Sequence, residues 1–129
     1  TLALAQLHGQ EDESYIRELK TYTDKLIIKA FSIKTAEDIE KALQSPADYI
    51  LLDQGGGGTG KTFDWSLIPE IQRPFFLAGG IGASNLGQAI REIHPYAVDL
   101  SSSVETEKRK DPMKIRQVVD IVREIKIIN

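Results

Sequence analysis

The sequence predicts an α/β protein with a parallel sheet, and two observations carry that prediction. Short apolar runs of strand length recur about every 22–26 residues, and segments with helical periodicity lie between them. The runs are apolar on both faces, as expected for a parallel sheet that helices cover. Five such βα units fill the 129 residues as a single domain, 1–129, without a linker. Periodicity leaves two architectures open, a doubly wound sheet and a (βα)8 barrel.

The predicted strands are runs rich in Leu, Ile, Val, Phe and Ala. In chain order they are Leu2–Leu7, Leu26–Phe31, Tyr49–Leu52, Phe75–Ala78 and Ala97–Leu100. Four helices are predicted from apolar positions that fall on one helical face. These helices are Glu13–Tyr22, Ala36–Leu43, Asn85–Ile93 and Pro112–Ile125.

Helix start signals support three of these helices. Thr35 is followed three residues later by Asp38, which is close to a capping box. Ser84 is expected to cap the third helix. Asp111 is expected to open the last helix, with Pro112 at its first position.

Composition narrows the class of function. The net charge is −3 and the 27% of charged residues are of mixed sign, which argues against a dedicated nucleic-acid binder. The short basic run 108–110 is interpreted as a solvated loop. The chain has no cysteine and no apolar stretch of membrane-spanning length, so we expect neither disulfides nor a membrane span. These features favour a cytoplasmic protein that acts on a small molecule, and its two distant histidines do not suggest a metal site.

Polar or glycine-rich residues follow the predicted strands. In parallel α/β folds the carboxyl ends of the strands, and the loops after them, form the functional edge. The sequence therefore predicts one continuous site along this edge. Its candidate residues are Gln6 and His8 after the first strand, Asp53 after the third, Gly79 and Gly80 after the fourth, and Asp99, Ser102 and Ser103 after the fifth.

The glycines favour a phosphate site. Backbone N–H groups approach an anion closely where no Cβ intervenes, and a helix N-terminus adds a favourable dipole. Gly79 and Gly80 precede a predicted helix, and residues 101–103 offer hydroxyl and amide donors. The alternative is that these glycines only form tight turns.

Asp53 is the candidate acid or base. A carboxylate at the tip of an apolar strand loses solvation when a ligand covers it, which favours its proton-donating form. The alternative is a helix or turn cap. His8 is interpreted as a structural residue or substrate contact, and His94 as a partner of a helix C-terminus. Asp99 is either catalytic or orients the serines that follow it.

The segment Gly55–Thr62 has the spacing of a nucleotide-binding P-loop. That motif requires a long helix beginning at its Lys-Thr pair. Here Phe63–Ile71 can form one or two helical turns at most, because Pro69 interrupts it. A P-loop nucleotide-binding domain is therefore the least favoured interpretation.

Taken in order, these segments resemble the phosphoribosylanthranilate isomerase family over essentially the whole chain. The most specific motif is Gly-Gly-Thr-Gly-Lys-Thr-Phe-Asp-Trp at 57–65, which also accounts for the P-loop spacing. The other matching segments are Gln-Leu-His-Gly at 6–9, Ile-Leu-Leu-Asp at 50–53, Leu-Ala-Gly-Gly-Ile at 77–81 with Asn85, residues 97–105, and Lys110-Asp111.

The resemblance implies that the chain is the C-terminal part of a (βα)8 barrel, units four to eight, from a tryptophan-biosynthesis isomerase. The reaction would be the Amadori rearrangement of N-(5′-phosphoribosyl)anthranilate to 1-(o-carboxyphenylamino)-1-deoxyribulose 5-phosphate, without cofactor or metal. Asp53 would be the general acid that opens the ribose ring. The substrate would be bound by Gln6, His8, Gly57, Gly58, Gly60, Gly79, Gly80, Asp99, Ser102 and Ser103.

Two departures from the family pattern affect these expectations. The first three units, with the family's Cys base and an Arg for the anthranilate carboxylate, would be missing, and the chain opens inside an apolar run without Met. A truncated chain of this kind would be inactive alone, and its unpaired edge strands would bind the missing units or another copy. The alternative is a non-catalytic phosphate-binding barrel fragment. The second departure is Ser103 in place of glycine; if that position needs positive φ, serine costs about 1 kcal/mol there.

Overall fold

A five-stranded parallel sheet forms the centre of the protein. A computed structural model of the chain describes residues 4–7, 9, 11–53, 64–100 and 102–128. The strands lie side by side in sequence order and all pair in parallel. This order has no reversal point, whereas a doubly wound sheet requires one. The strands are β1 (Leu4–Leu7), β2 (Leu26–Ser32), β3 (Tyr49–Asp53), β4 (Phe75–Ala78) and β5 (Ala97–Asp99).

Four α-helices connect and follow the strands, as predicted. They are α1 (Glu13–Tyr22), α2 (Ala36–Leu43), α3 (Leu86–Ile93) and α4 (Pro112–Ile128). The short helix expected within 63–71 is a single 3-10 turn, Trp65–Leu67. After β5 come a second 3-10 turn, Ser102–Val104, and a small antiparallel hairpin of β6 (Glu105–Thr106) and β7 (Arg109–Lys110). The basic run 108–110 is thus exposed, but it belongs to a hairpin and not to an irregular loop.

Two of the three predicted helix starts are confirmed. Thr35 and Asp38 form a full capping box, in which Thr35 Oγ1 accepts the Asp38 N–H at 3.4 Å and Asp38 Oδ2 accepts the Thr35 N–H at 3.0 Å. Asp111 Oδ1 accepts the N–H of residue 113 at 2.9 Å. The prediction for Ser84 is wrong, because the turn after Gly82 places the capping position at residue 85.

All four helices pack on the same face of the sheet. Ile27 of β2 packs against Ile16 of α1 and Ala47. The largest core cluster joins strands and the other three helices through Ile50, Leu52, Phe75 and Leu77 on the sheet and Ile39, Ala42, Leu86, Ala89 and Val118 on the helices. These side chains are almost entirely buried, so this face supplies most of the hydrophobic stabilisation.

The opposite face of the sheet, called the open face below, has a different character. Ile28, Leu51 and Ala78 are buried there in a separate cluster, packed against Ala30, Tyr49 and Phe76 from neighbouring strand positions. No residue of a described helix belongs to this cluster. In the described part of the chain the helices therefore cover one face of the sheet, and the strands are apolar on both faces as predicted.

Candidate active site

Three of the predicted site residues lie on the open face. Gln6 is the register partner of Ile28, and Asp99 is the register partner of Ala78. Both partners belong to the open-face cluster. Asp53 follows a third member of that cluster by two residues, and alternate residues of a strand share a face. The fold therefore brings Gln6, Asp53 and Asp99 to one side of the sheet, from three different strands.

Asp53 is held at the end of a well-anchored strand. Leu52 before it is fully buried, and the carbonyl of Asp53 accepts the Ile33 N–H at 2.7 Å, which ties the end of β3 to the segment after β2. Ser32 is its register partner on β2. Asp53 as a whole is half-buried. A side chain on a rigid strand end is placed more reproducibly than one on a loop, which suits a proton donor.

Gly79 and Gly80 turn the chain from β4 toward α3. Their φ angles are 88° and 72°, in the left-handed region that side chains with a Cβ avoid at a cost of roughly 1–2 kcal/mol. The glycines are therefore required by the backbone itself. Two successive left-handed residues also make a turn of the kind that can direct neighbouring N–H groups toward an anion.

The loops after β4 and β5 meet at Ser103. A Cβ added to Gly82 would lie 3.0 Å from Ser103 Cβ, so the two loops are in close contact. Ser103 lies in the 3-10 turn 102–104 and is not among the described residues with positive φ, so the strain considered for a serine at this position does not arise. Its Oγ is buried and forms no hydrogen bond with the described residues. The backbone of Ser102 lies in the same turn.

The remaining predicted site residues, His8, Gly57, Gly58 and Gly60, lie outside the described residues. Between Asp64 and β4 the only helical segment is the turn Trp65–Leu67. Asp64 caps this turn, and its Oδ1 accepts the Ser66 N–H at 3.0 Å. A P-loop requires a long helix there, so the nucleotide-binding interpretation is wrong. Within the described ranges, no three His, Cys, Asp or Glu side chains are grouped to hold a metal, and no helix is long and apolar enough to cross a membrane.

Lys29 is a supporting residue that had no predicted role. Its side chain is buried, and Nζ donates to the Gly9 carbonyl and to Glu11 Oε1, the latter at 3.0 Å. Glu11 Oε1 also accepts the Gly9 N–H at 2.8 Å. The hydrogen bond from Lys29 holds the pKa of Glu11 below its usual value. This network fixes the loop after β1, and its sequence signal is a lysine inside an otherwise apolar strand.

Asn85 is the second supporting residue without a predicted role. It precedes α3, and its side chain bonds back to the loop after β4: Oδ1 accepts the Gly82 N–H at 2.9 Å and Nδ2 donates to the Gly80 carbonyl at 3.1 Å. The sequence places an asparagine near a helix start, where capping is the ordinary expectation. Its actual contacts depend on the shape of the glycine loop, which local sequence does not specify.

Comparison with known proteins identifies the family. The sequence profile of N-(5′-phosphoribosyl)anthranilate (PRA) isomerase matches residues 1–121. The chain belongs to the PRA isomerase family. The N-(5′-phosphoribosyl)anthranilate isomerase of Endomicrobium trichonymphae is 45% identical over 129 residues, covering 97% of this chain and 63% of that protein. The isomerase of Streptococcus gordonii is 42% identical over 125 residues, covering 95% and 60%.

Solved structures of PRA isomerases share the fold. The enzyme from Thermotoga maritima superposes with a TM-score of 0.79 at 37% identity, covering 95% of this chain and 62% of that one. A PRA isomerase in complex with reduced 1-(o-carboxyphenylamino)-1-deoxyribulose 5-phosphate gives a TM-score of 0.76 at 34% identity, covering 95% and 60%. The chain thus spans about 60–63% of the length of these relatives.

Proposed function

We propose that this chain forms units four to eight of a (βα)8-barrel PRA isomerase, with its active site at the carboxyl edge of the open face. The observation that carries the proposal is the convergence of Asp53, Gln6 and Asp99 on that face, beside the Gly79–Gly80 turn. Family membership supports it, as does the fact that the chain spans less than two thirds of its relatives. A solved relative also binds a phosphorylated ligand that resembles the reaction product.

Asp53 acts in this mechanism as the general acid. It donates a proton to the ring oxygen of the phosphoribosyl group, the bond from C1′ to that oxygen breaks, and the anthranilate nitrogen supplies the electron pair that forms the Schiff base. A base then removes the C2′ proton, and the resulting enamine tautomerises to the ketone product. The rearrangement is a net isomerisation and needs no oxidant or reductant. The chain contains no cysteine, so the Cys base that the family resemblance implies would come from the first three units.

The phosphate end of the substrate lies at the other side of the site. The left-handed turn at Gly79 and Gly80 offers backbone N–H groups close to the start of α3, where the helix dipole favours an anion. The turn that contains Ser103 lies against this loop at Gly82 and brings further donors. The last two βα loops are also the usual phosphate site of (βα)8 barrels.

Completion of the barrel is supported by the two ends of the sheet. β1 and β5 are its outer strands, each with one neighbour in the described sheet. Among the described helical residues, large exposed hydrophobic side chains occur only on the helices at these two ends. They are Tyr15 and Tyr22 on α1, and Met113, Ile115 and Val119 on α4. Three further βα units would pair with both outer strands and cover both helices.

A complementation experiment tests this function. We expect the chain alone to be inactive, and turnover to appear, as loss of anthranilate fluorescence, when a polypeptide with the first three βα units of a family member is added. Asp53→Asn should then lower kcat by about 10²–10⁴-fold, the usual contribution of general acid catalysis. Asp120→Asn, an exposed position on α4, is the matched control and should leave kcat unchanged.

Other outcomes separate the alternatives. Unchanged turnover by Asp53→Asn would remove Asp53 from the acid role. A mixture that forms a complex and binds phosphate without turnover would favour the second candidate function, a non-catalytic phosphate-binding barrel fragment. The outer strands also predict self-association of the isolated chain, and a clean monomer in light scattering at high concentration would contradict that prediction.

A further inference from the structure

The side chain of Asn85 makes contacts that its position does not lead one to expect. Asn85 is the N-cap residue of α3, yet it forms no side-chain hydrogen bond to that helix. A capping asparagine normally accepts an N–H of the first helical turn, which stabilises the helix by about 1 kcal/mol. Both polar atoms of Asn85 are instead hydrogen-bonded to the loop before it, Oδ1 to the Gly82 N–H and Nδ2 to the Gly80 carbonyl.

These two hydrogen bonds fix a short, glycine-rich stretch at both ends. Ile81 lies between the bonded groups and is buried, which holds the middle of the stretch in the core. The carbonyl of Gly82 accepts two further N–H groups, from Asn85 at 3.1 Å and Leu86 at 2.8 Å. Gly82 is therefore bonded to the start of α3 through both its N–H and its C=O. Gly80 is bonded to Asn85, at the same helix start, through its carbonyl.

We propose that Asn85 is a positioning residue for the phosphate group of the substrate. It holds the Gly79–Gly80 turn in the left-handed conformation that presents backbone N–H groups to the anion. This inference rests on the proposed function, in which that turn binds the phosphate. Without a restraint, two adjacent glycines sample many conformations, and their ordering on binding would reduce affinity.

The chemistry of an amide suits this role. The stretch offers one acceptor, the Gly80 carbonyl, and one donor, the Gly82 N–H, and the amide of asparagine supplies the complementary donor and acceptor. An aspartate would have no donor for Gly80 and would place a negative charge beside the phosphate. A serine could cap α3 but would lack the reach and the paired groups to bridge both backbone partners.

The test is a titration of the 129-residue chain with inorganic phosphate, followed by the backbone amide signals of Gly79, Gly80 and Gly82, at ionic strength held constant with chloride. We expect Asn85→Ala to weaken phosphate binding about tenfold, as loss of two hydrogen bonds allows. Hydrogen exchange at the Gly82 amide should accelerate in the same variant. Gln88→Ala is the matched control: it removes an exposed amide from the same helix, whose hydrogen bond within the described part of the chain is to Glu92 at 3.2 Å, and should leave phosphate affinity unchanged.

A second variant separates positioning from helix stability. Asn85→Ser can restore the cap of α3, so it should unfold at a temperature no lower than Asn85→Ala while still binding phosphate about tenfold more weakly than the unmodified chain. Phosphate affinity equal to that of the unmodified chain in either folded variant would overturn the role of Asn85 and leave the phosphate site intact. If phosphate shifted no amide of Gly79 or Gly80 in the unmodified chain, the phosphate site itself would be wrong, and the role of Asn85 with it.

Discussion

The two edges of the sheet use their polar groups in opposite ways. At the amino edge, where the strands begin, the polar groups form hydrogen bonds and an ion pair within the fold. Arg73, just before β4, donates to three carbonyls at the end of α2 and after it: Leu43 at 3.1 Å, Ser45 at 2.9 Å and Ala47 at 2.7 Å. Asp48, just before β3, accepts the Ile27 N–H at 2.8 Å and pairs with Lys20 at 3.1 Å.

At the carboxyl edge, the pair Lys29 and Glu11 and the side chain of Asn85 hold the loops, but several predicted site residues have polar groups that are exposed or not used in this way. Gln6 and Asp99 are exposed on the open face, and the buried Oγ of Ser103 has no hydrogen-bond partner among the residues that the structure describes. Positive φ angles are also more frequent at the carboxyl edge. Of the five described residues with positive φ, four lie in loops at the carboxyl edge and only His94 lies at the amino edge. Substitutions at the amino edge should therefore change stability alone, and those in the glycine turn at the carboxyl edge should also change phosphate binding.

The largest effect on stability is expected at Arg73. Arg73→Ala removes three hydrogen bonds to carbonyls, so we expect the free energy of unfolding to fall by about 2–3 kcal/mol in urea denaturation. Arg73→Lys should recover part of this loss, because one ammonium group cannot reproduce the forked geometry of a guanidinium. Arg116→Ala, at an exposed position of α4, is the control and should change little. Weaker phosphate binding by folded Arg73→Ala would break the division between the two edges.

Gly80→Ala is the corresponding change at the carboxyl edge. Its φ of 72° predicts a loss of about 1–2 kcal/mol in unfolding free energy, smaller than at Arg73, together with a clear loss of phosphate affinity. Gly87→Ala in α3 is the matched control. A Cβ there would approach the flexible end of Arg91 at 3.2 Å and make an ordinary contact with Ile125 Cδ1 at 3.8 Å, so alanine should raise stability by about 0.5–1 kcal/mol. Unchanged phosphate affinity in folded Gly80→Ala would argue against the glycine turn as the binding element.

Features set by local sequence were predictable. The alternation of apolar runs and helical segments placed the five strands of the parallel sheet and the four α-helices, because burial imposes those periods on the chain, but it did not predict the hairpin β6–β7. The capping pair Thr35 and Asp38 was also predictable, because its two partners lie only three residues apart in the sequence. Asp53, Gly79 and Gly80 could be nominated because a parallel fold places strand ends at a common edge.

Features set by distant partners were not predictable. Arg73 binds carbonyls 26–30 residues earlier in the chain, and Lys29 binds residues 18–20 positions earlier. Neither partnership has a local pattern. Strands apolar on both faces also do not reveal which face the helices cover. The cap at Ser84 was misplaced by one residue because the turn that follows Gly82 sets the start of α3.

The acid stability of the amino edge should depend on Asp48. Its burial raises the pKa of this carboxyl, but the hydrogen bond from the Ile27 N–H and the pairing with Lys20 outweigh burial and lower it overall. A lowered pKa means that the ionised carboxylate stabilises the fold above the ordinary value of 3.8, and that this stabilisation is lost as the pH falls through the lowered pKa. At pH 7, Asp48→Asn should cost about 1 kcal/mol. The difference in unfolding free energy between Asp48→Asn and the unmodified chain should disappear in acid.

Urea unfolding at pH 7 and at successively lower pH measures that gap. Asp120→Asn, at an exposed position, is the control and should show a small difference that does not depend on pH. A gap for Asp48→Asn that persisted below the lowered pKa would mean that the ionised carboxylate is not what stabilises this edge.

The smallest expected effect concerns strain that lies on the carboxyl side but outside the glycine turn. Glu107 and Lys108 connect β6 to β7 with φ angles of 53° and 66°, a pair of values that favours Asn-Gly in two-residue hairpin turns. Lys108→Gly should therefore raise the unfolding free energy by about 0.5–1 kcal/mol, whereas Arg109→Gly, at the next residue in β7, should lower it. Phosphate affinity should stay constant in both variants, since the hairpin is not part of the Gly79–Gly80 turn that is proposed to bind the anion. A change in affinity would mean that the hairpin also belongs to the binding site. The loops of the carboxyl edge would then share the binding role that is assigned here to the glycine turn.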